Sequence, residues 1–120
     1  MHLRLSSLIL FGALAISTAV VAAPSIAQLT IKDRVFTTTE LTVPANTKIK
    51  LLVTNEDLIP AEFESYDLSR EVVIPGHSTV TVYLDALAPG RYNFFNDFNH
   101  AAQGWVVVGA PDQAKTGNQD

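Results

Sequence analysis

The chain contains no cysteine, and its only methionine is Met1. Without cysteine it cannot form a disulfide, carry a lipid on an N-terminal cysteine or offer a thiolate to a metal. A copper centre that combines two histidines, a cysteine thiolate and a weak axial thioether therefore cannot be built. Any metal site in this chain must use harder donors, such as carboxylate oxygens and histidine nitrogens.

The sequence also lacks the motifs of several common enzyme classes. It has no Gly-x-Ser-x-Gly elbow, no phosphate-binding glycine-rich loop and no His-Glu-x-x-His segment. Positive charge is scarce as well, because 8 basic residues stand against 12 acidic ones and the formal net charge is −4. Nucleic-acid binding depends on a basic surface, so we expect no nucleic-acid partner. An acidic chain favours cationic ligands, metal ions among them.

The first 27 residues have the pattern of a secretory signal peptide. A weakly basic start leads into the apolar stretch 8–21, and small residues follow. The apolar core is about 14 residues long, shorter than the roughly 20 residues that a membrane-spanning helix requires. We therefore predict export to the periplasm, with no membrane insertion after cleavage. We place the cleavage after Ala27, so that the mature chain begins at Gln28, with cleavage after Ala23 as the alternative.

Hydrophobic residues alternate with polar ones through most of the remaining chain. Every second residue is aliphatic in 49–53 and again in 80–84, which is typical of half-buried strands. Turn residues such as Pro75-Gly76 and Pro89-Gly90 separate these segments at intervals that suit a sandwich. The predicted strands span 28–33, 36–43, 48–54, 61–66, 70–74, 79–84, 91–95 and 104–108.

This pattern predicts an all-β fold, a Greek-key β-sandwich of seven or eight strands without a substantial helix. A mature chain of about 93 residues is enough for one small domain. We assign residues 28–110 to that domain. The polar tail 111–120 is predicted to be disordered.

The segment YNFFNDFNHAAQGW, residues 92–105, resembles the last strand, ligand loop and final strand of a cupredoxin. In that fold the loop carries Cys, His and Met ligands, whereas here Asn96 stands at the thiolate position and Trp105 at the thioether position. The resemblance implies a cupredoxin-like sandwich without blue-copper chemistry. Alternation along the strands also predicts that Phe94 and Trp105 belong to the core.

A wider resemblance covers residues 36–108. The motifs ELTVPAN, PAEFES, APGRYNFF and DFNHAAQGWVVV, in this order, are similar to the cupredoxin-like domain of periplasmic iron-uptake systems of the Efe and Ftr kinds. The resemblance implies a periplasmic metal-binding accessory protein whose partners are an iron permease or other periplasmic uptake components. It also implies copper(II) or iron as the bound metal, and it leaves an accessory role in ferrous iron oxidation open.

The motif PAEFES places two acidic residues where copper-binding cupredoxins carry their first histidine ligand. Glu62 and Glu64 follow Pro60 and share one face of a strand while Phe63 points to the other, so their Cα atoms should be about 6.5 Å apart. Two interpretations stay open. The pair forms either an acidic surface that faces solvent or part of a metal site.

Asp97 and His100 are the second pair of candidate ligands, three residues apart in the segment that the fold uses for metal. Resemblance to the iron-uptake domains implies one site that combines Glu62, Glu64, Asp97 and His100. Three carboxylates and one imidazole suit a hard or borderline cation, and both copper(II) and iron meet that description. His77 lies on a turn between two strands, where we expect it at the surface and without a metal.

Two functional classes therefore remain open. In the first, the domain is a metal-binding accessory protein that delivers iron to a permease or assists its oxidation with copper. In the second, it is a metal-free cupredoxin-fold adaptor whose acidic end docks on a partner protein. Loss of the thiolate is compatible with both classes. The sequence leaves open whether the protein forms a homodimer, and it does not indicate an enzyme that acts alone.

Overall fold

The computed structural model describes residues 6–17 and 23–109. Residues 6–17 form neither helix nor strand, and no helix among the described residues is long and apolar enough to cross a membrane. The predicted signal peptide lies partly outside the described residues and the predicted tail 111–120 entirely so; both stay predictions. Within the described ranges the chain forms nine strands: β1 (Ser25–Lys32), β2 (Val35–Phe36), β3 (Glu40–Val43), β4 (Ile49–Asn55), β5 (Ala61–Ser65), β6 (Arg70–Ile74), β7 (Ser78–Leu84), β8 (Gly90–Asn96) and β9 (Asn99–Val108).

These strands form two sheets. The first has the strand order β2-β1-β4-β7, and the second has the order β3-β9-β8-β5-β6. Strand β1 runs parallel to β4, and β3 runs parallel to β9, whereas the other pairs are antiparallel. The prediction of an all-β sandwich without a substantial helix is confirmed for the described residues.

Side chains from both sheets meet in one core. Leu51 of the first sheet and Phe63 and Phe94 of the second are fully buried. The Phe94 ring meets Phe36 edge to face, with centroids 4.8 Å apart, and lies 5.4 Å from the Phe63 ring. Burial of these apolar surfaces is the main favourable contribution to folding. Because successive side chains alternate across a strand, the inward Phe63 forces both of its neighbours onto the outer face of the second sheet.

Trp105 is not a core residue, and the prediction that it belongs to the core is wrong. Gly104 takes the inward position on β9, where a Cβ atom would collide with the ring of Phe94. Trp105 therefore points outward and is 38% exposed. The Arg91 guanidinium carbon lies 5.2 Å from the centre of its ring, an arrangement that favours a cation–π contact.

The predicted strand 36–43 is two strands that belong to different sheets. Thr37 donates its N–H to the carbonyl of Thr30 in the first sheet, at 2.9 Å, whereas the Thr39 carbonyl accepts the N–H of Trp105 in the second, at 2.8 Å. The chain thus crosses from one sheet to the other within three residues. An alternating pattern does not mark such a crossing, because both halves keep the same period.

The carboxylate of Asp57 ties the β1–β2 hairpin to the loop after β4. Asp33 and Arg34 form the hairpin turn with φ angles of 53° and 67°, as a type I′ turn requires. The two carboxylate oxygens of Asp57 each accept one of their N–H groups at 2.8 Å. Arg34 donates onward to the carbonyl of Phe98 at 3.3 Å. This chain of contacts holds the turn between β8 and β9 in place.

The first residues of β1 lie upstream of the predicted cleavage after Ala27. Residues 25–27 pair with 49–51 in the parallel ladder. We expect a protein that begins at Gln28 to be less stable than one that begins at Pro24, by about 1–3 kcal/mol, because several ladder hydrogen bonds are lost. Urea unfolding of the two proteins measures the difference. Equal free energies of unfolding would show that these residues do not stabilise the sandwich.

Candidate metal centre

The candidate site lies where β8 turns into β9. The sequence predicted a long loop before a final strand at 104, but β8 ends at Asn96 and β9 already begins at Asn99. Asp97 and Phe98 alone form the turn. The predicted loop is therefore wrong. The backbone groups of the segment that was predicted to be a loop form their hydrogen bonds by strand pairing. The local sequence motifs did not indicate this pairing.

The hairpin carries an irregularity next to the turn. Phe95 pairs with Gln103, whereas the next residue, Asn96, pairs with Asn99, so the register shifts between them. Residues 100–102 lie within the resulting bulge of β9. Bulges reorient side chains and are frequent near functional sites. His100 is thus a strand residue in a bulge and not, as predicted, a loop residue.

Asn96, at the predicted thiolate position, has a structural role. Its side chain is buried, and its Oδ1 accepts the N–H of Glu62 at 3.0 Å and the N–H of Phe98 at 3.1 Å. The N–H of Asp97 donates to the carbonyl of Glu62 at 3.3 Å. These bonds fasten the start of β5 to the β8–β9 turn. They bring the two sequence segments that carry the candidate ligands into contact.

Glu62 and Glu64 lie on the outer face of the second sheet, on the side opposite Phe63, as predicted. They are nevertheless buried, with only 5% and 9% of their surfaces exposed. The interpretation of a solvent-exposed acidic surface is therefore wrong for these two side chains. Charged side chains are rarely buried to this degree unless a partner compensates the charge.

The structure brings three of the four predicted ligands together. One carboxylate oxygen from each of Glu62, Glu64 and Asp97 lies within 4.8 Å of the others. His100 stands at the edge of this group, with Nε2 at 2.8 Å from Oδ1 of Asp97. The His100 side chain is 72% exposed and that of Asp97 is 38% exposed. His100 therefore orients Asp97 through this contact, and ligation through Nε2 would require the contact to break.

A fourth carboxylate, which the sequence analysis missed, belongs to the same surface. Glu71 on β6 pairs directly with Glu64 on β5, and it contributes to the raised pKa of Glu62. Side chains that lie opposite each other on adjacent strands are close neighbours. The signal was present in the sequence, because predicted strands 61–66 and 70–74 form a short hairpin that places these acids opposite each other.

The environment raises the pKa of two of these carboxyls. Burial is the main cause for Glu62, followed by the hydrogen bond and negative charge of Glu71 and then by Asp97 and Glu64; its pKa rises from 4.5 to about 7. Burial also raises the pKa of Glu64, with Asp97 and Glu71 contributing and His100 opposing. Both shifts arise because the folded protein concentrates negative charge in a poorly solvated place.

Oε1 of Glu62 is buried and has no hydrogen-bond partner within the described structure. An orphaned buried carboxylate oxygen is costly, and a cation placed among the three carboxylates would satisfy it. The donor set therefore fits a hard or borderline cation. It does not fit blue copper, because the thiolate position holds an amide that is already hydrogen-bonded.

Replacing Glu62 by glutamine is expected to stabilise the metal-free protein at pH 8. Since folding raises the pKa of Glu62, the folded state keeps a proton that the unfolded state loses, and the free energy of unfolding falls as the pH rises from about 4.5 to 7. Below that window the carboxyl is neutral in both states and costs nothing. Removing the charge should raise the free energy of unfolding by about 1 kcal/mol at pH 8 and have little effect at pH 4. Urea titrations at the two pH values test this, and an equal change at both would contradict it.

His77, for which no ligation was predicted, is exposed on its turn, with φ of 50° and its N–H donating to the carbonyl of Asp57. The predicted surface position is confirmed. No carboxylate of the group around Glu62 is near enough to join it in a cluster of ligands among the described residues. His77 therefore serves as a control position for metal binding.

Comparison with known proteins identifies the fold. A family described as a cupredoxin-like domain matches residues 5–108. The uncharacterized protein RP394 of Rickettsia prowazekii (strain Madrid E) is 42% identical over 82 residues, which cover 68% of this chain and 66% of that protein. This chain thus spans slightly less than two thirds of that relative's length.

Two solved structures share the architecture at low sequence identity. Auracyanin A, a blue copper protein of Chloroflexus aurantiacus, is similar with a TM-score of 0.60 and 19% identity over 72% of this chain and 99% of its own. The periplasmic domain of subunit II of cytochrome oxidase from Bradyrhizobium japonicum is similar with a TM-score of 0.66 and 14% identity, over 82% of this chain and 93% of its own. At these identities the likeness shows the fold alone. Together with the two-sheet architecture, the family match shows that this chain belongs to the cupredoxin-like domain family.

Proposed function

We propose that this protein is a periplasmic metal-binding accessory protein of an iron-uptake system. It binds copper(II) or iron through Glu62, Glu64 and Asp97, with His100 contributing directly or through Asp97. The observation that carries the proposal is the buried Oε1 of Glu62, which has no partner while two further carboxylates lie within 4.8 Å. A bound cation removes the cost of that arrangement, and at neutral pH it would compete for this place with the proton that the raised pKa of Glu62 favours.

The donor chemistry supports a hard or borderline ion. Carboxylate oxygens suit ferric iron, and imidazole is shared by copper(II) and iron. Copper(II) leads the affinity order among divalent ions, so it should bind in vitro even if iron is the biological cargo. No soft ligand is available for copper(I), because the chain has no cysteine and its only methionine is Met1.

The iron-uptake role and the periplasmic location rest on sequence motifs. PAEFES and DFNHAAQGWVVV resemble the cupredoxin-like domains of Efe and Ftr systems, and the N-terminal segment has the pattern of a signal peptide. The fold is compatible with that location, since a structurally similar domain is the periplasmic part of an oxidase subunit. An iron permease or other periplasmic uptake components are the proposed partners, and the sequence leaves homodimer formation open.

A second candidate function is a metal-free adaptor that docks on a partner protein. It is favoured by Asn96, because this residue replaces the thiolate ligand and its Oδ1 holds the hairpin through two hydrogen bonds. The sandwich therefore keeps its site end folded without a metal. In this case the acidic end of the domain docks on the partner through its more exposed acids, Asp97 and Glu71.

Calorimetric titration of the purified protein with copper(II) and with ferric citrate separates the two functions. The metal-binding proposal expects saturable binding of one ion per chain at neutral pH. The adaptor proposal expects no binding of either ion. Loss of iron accumulation on deletion of the gene tests the assignment to iron uptake, and normal accumulation under iron limitation would contradict it.

The copper-loaded protein is expected to lack the intense blue absorption of a copper–thiolate bond. The cause is the absence of cysteine, since Asn96 occupies the thiolate position. A visible absorption spectrum of the protein loaded with one equivalent of copper(II) provides the measurement. An intense band in homogeneous protein would overturn the assignment of the ligand positions.

A further inference from the structure

An open groove lies beside the carboxylates on the outer face of the second sheet. Its volume is about 330 Å³. Glu64 and Glu71, which are paired across β5 and β6, both line it. The remaining lining residues are Ser65, Tyr66, Ser69 and Arg70. The groove therefore leads from solvent to Glu64, which belongs to both the groove and the buried group.

Arg70, the one cation among the described residues that line the groove, does not neutralise these acids. Its guanidinium donates to the backbone carbonyls of Tyr83, Leu68 and Ser69 at 3.1–3.4 Å and approaches Asp85 at 3.9 Å. Within residues 6–17 and 23–109, no basic side chain lies within 4.0 Å of a carboxylate oxygen of Glu62, Glu64 or Glu71. Glu62, Glu64 and Glu71 are thus left without a salt-bridge partner, and His100 contacts only Asp97 of the group.

We propose that Glu71 is a fourth carboxylate ligand, which meets the ion from the groove, and that the completed site prefers trivalent to divalent cations. The inference rests on the proposed metal-binding function. Glu71 lies opposite Glu64 in the register, outside the three carboxylates whose oxygens lie within 4.8 Å of one another, and it would reach the ion by turning its side chain toward them. The unpartnered Oε1 of Glu62 lies at the buried end of the group, and the groove reaches the group at Glu64 and Glu71.

The preference for a trivalent ion follows from the charge count. Four ionised carboxylates offer four negative charges, and ligand charge is one of the factors that set the affinity of oxygen-rich sites. The attraction between the site and an ion grows with the charge of the ion, so a carboxylate added to the set helps a trivalent ion more than a divalent ion of the same size. Ferric iron is the biological ion of this class that the proposed function supplies.

Terbium(III) and calcium are suitable probes, because both seek oxygen ligands and have similar size but differ in charge. Terbium binding is followed by emission sensitised by Tyr66, which lines the groove, and calcium binding by competition. We expect Glu71→Gln to weaken terbium binding roughly tenfold and calcium binding less, since the lost ligand carries charge. Glu40→Gln is the matched control, because it makes the same change on exposed β3, which β9 and β8 separate from β5.

The emission lifetime of terbium in H2O and D2O counts the water molecules on the ion. If Glu71 is a ligand, Glu71→Gln should gain about one coordinated water relative to the parent. An unchanged water count together with unchanged terbium affinity would overturn the inference, while loss of binding in Glu62→Ala would still support the proposed function. If the parent binds none of terbium, copper(II) and iron, the proposed function itself fails.

Discussion

Replacing Glu62 or Asp97 by alanine is expected to weaken copper(II) or iron binding by roughly 100-fold, because each change removes a charged oxygen ligand from a small donor set. Glu62 is buried and supplies the oxygen without a partner, whereas Asp97 comes from the hairpin turn and is held by His100. The two residues thus represent the two segments that meet at the site. Calorimetric titration of each variant against the parent measures the effect.

The control for this experiment is His77→Ala, which removes an exposed residue outside the group and should leave the affinity unchanged. Binding by the parent should also weaken as the pH falls below about 7, because the Glu62 carboxyl must lose its proton before it can ligate. If Glu62→Ala and Asp97→Ala bind as tightly as the parent, the site is wrong. The adaptor function then becomes the better explanation of the acidic group.

Replacing Phe63 by alanine is expected to lower the free energy of unfolding by about 3–5 kcal/mol. The Phe63 side chain is fully buried and contacts the ring of Phe94, so its removal leaves a cavity between the sheets. Small domains have a free energy of unfolding of only about 5–15 kcal/mol, so this change removes a large share of it. Urea unfolding monitored by circular dichroism gives the value.

Phe98→Ala is the matched control, because this phenylalanine is 49% exposed on the turn and its loss should cost about 0.5 kcal/mol. If the free energy of unfolding falls by a similar amount in both variants, Phe63 stabilises the protein no more than an exposed phenylalanine does. The comparison also bears on the site. Phe63 lies between Glu62 and Glu64 on β5, and its burial keeps both acids on the outer face.

The sequence predicted the sandwich well because its information is local. Alternation with a period of two identifies a strand and the residues that face inward along it, and most predicted strands have counterparts in the structure. The predictions were wrong where the alternating pattern carries no information. It did not show the crossing between sheets at Thr37–Thr39, and it assigned Trp105 to the core although Gly104 must face Phe94.

The candidate residues were partly predictable for a similar reason. PAEFES placed Glu62 and Glu64 on one face of a strand, and the resemblance to iron-uptake domains added Asp97 and His100. This resemblance did not indicate Glu71, which joins the candidate group only through its pairing with Glu64. It also did not indicate that a hairpin replaces the predicted loop. Whether any of these residues holds a metal stays a prediction that the experiments above test.

The sequence by itself determined the all-β class, the exclusion of thiolate chemistry and the residue types available to a metal. These properties follow from composition and from contacts between near neighbours in the chain. Only the tertiary structure decided that the acids are buried, that Glu62 keeps an oxygen without a partner and that its pKa rises to about 7. The reason is that burial and charge density depend on the register of β5 against β6 and β8. The pairing of β5 with β8 joins residues far apart in sequence, and packing of both sheets around Phe63 and Phe94 stabilises it.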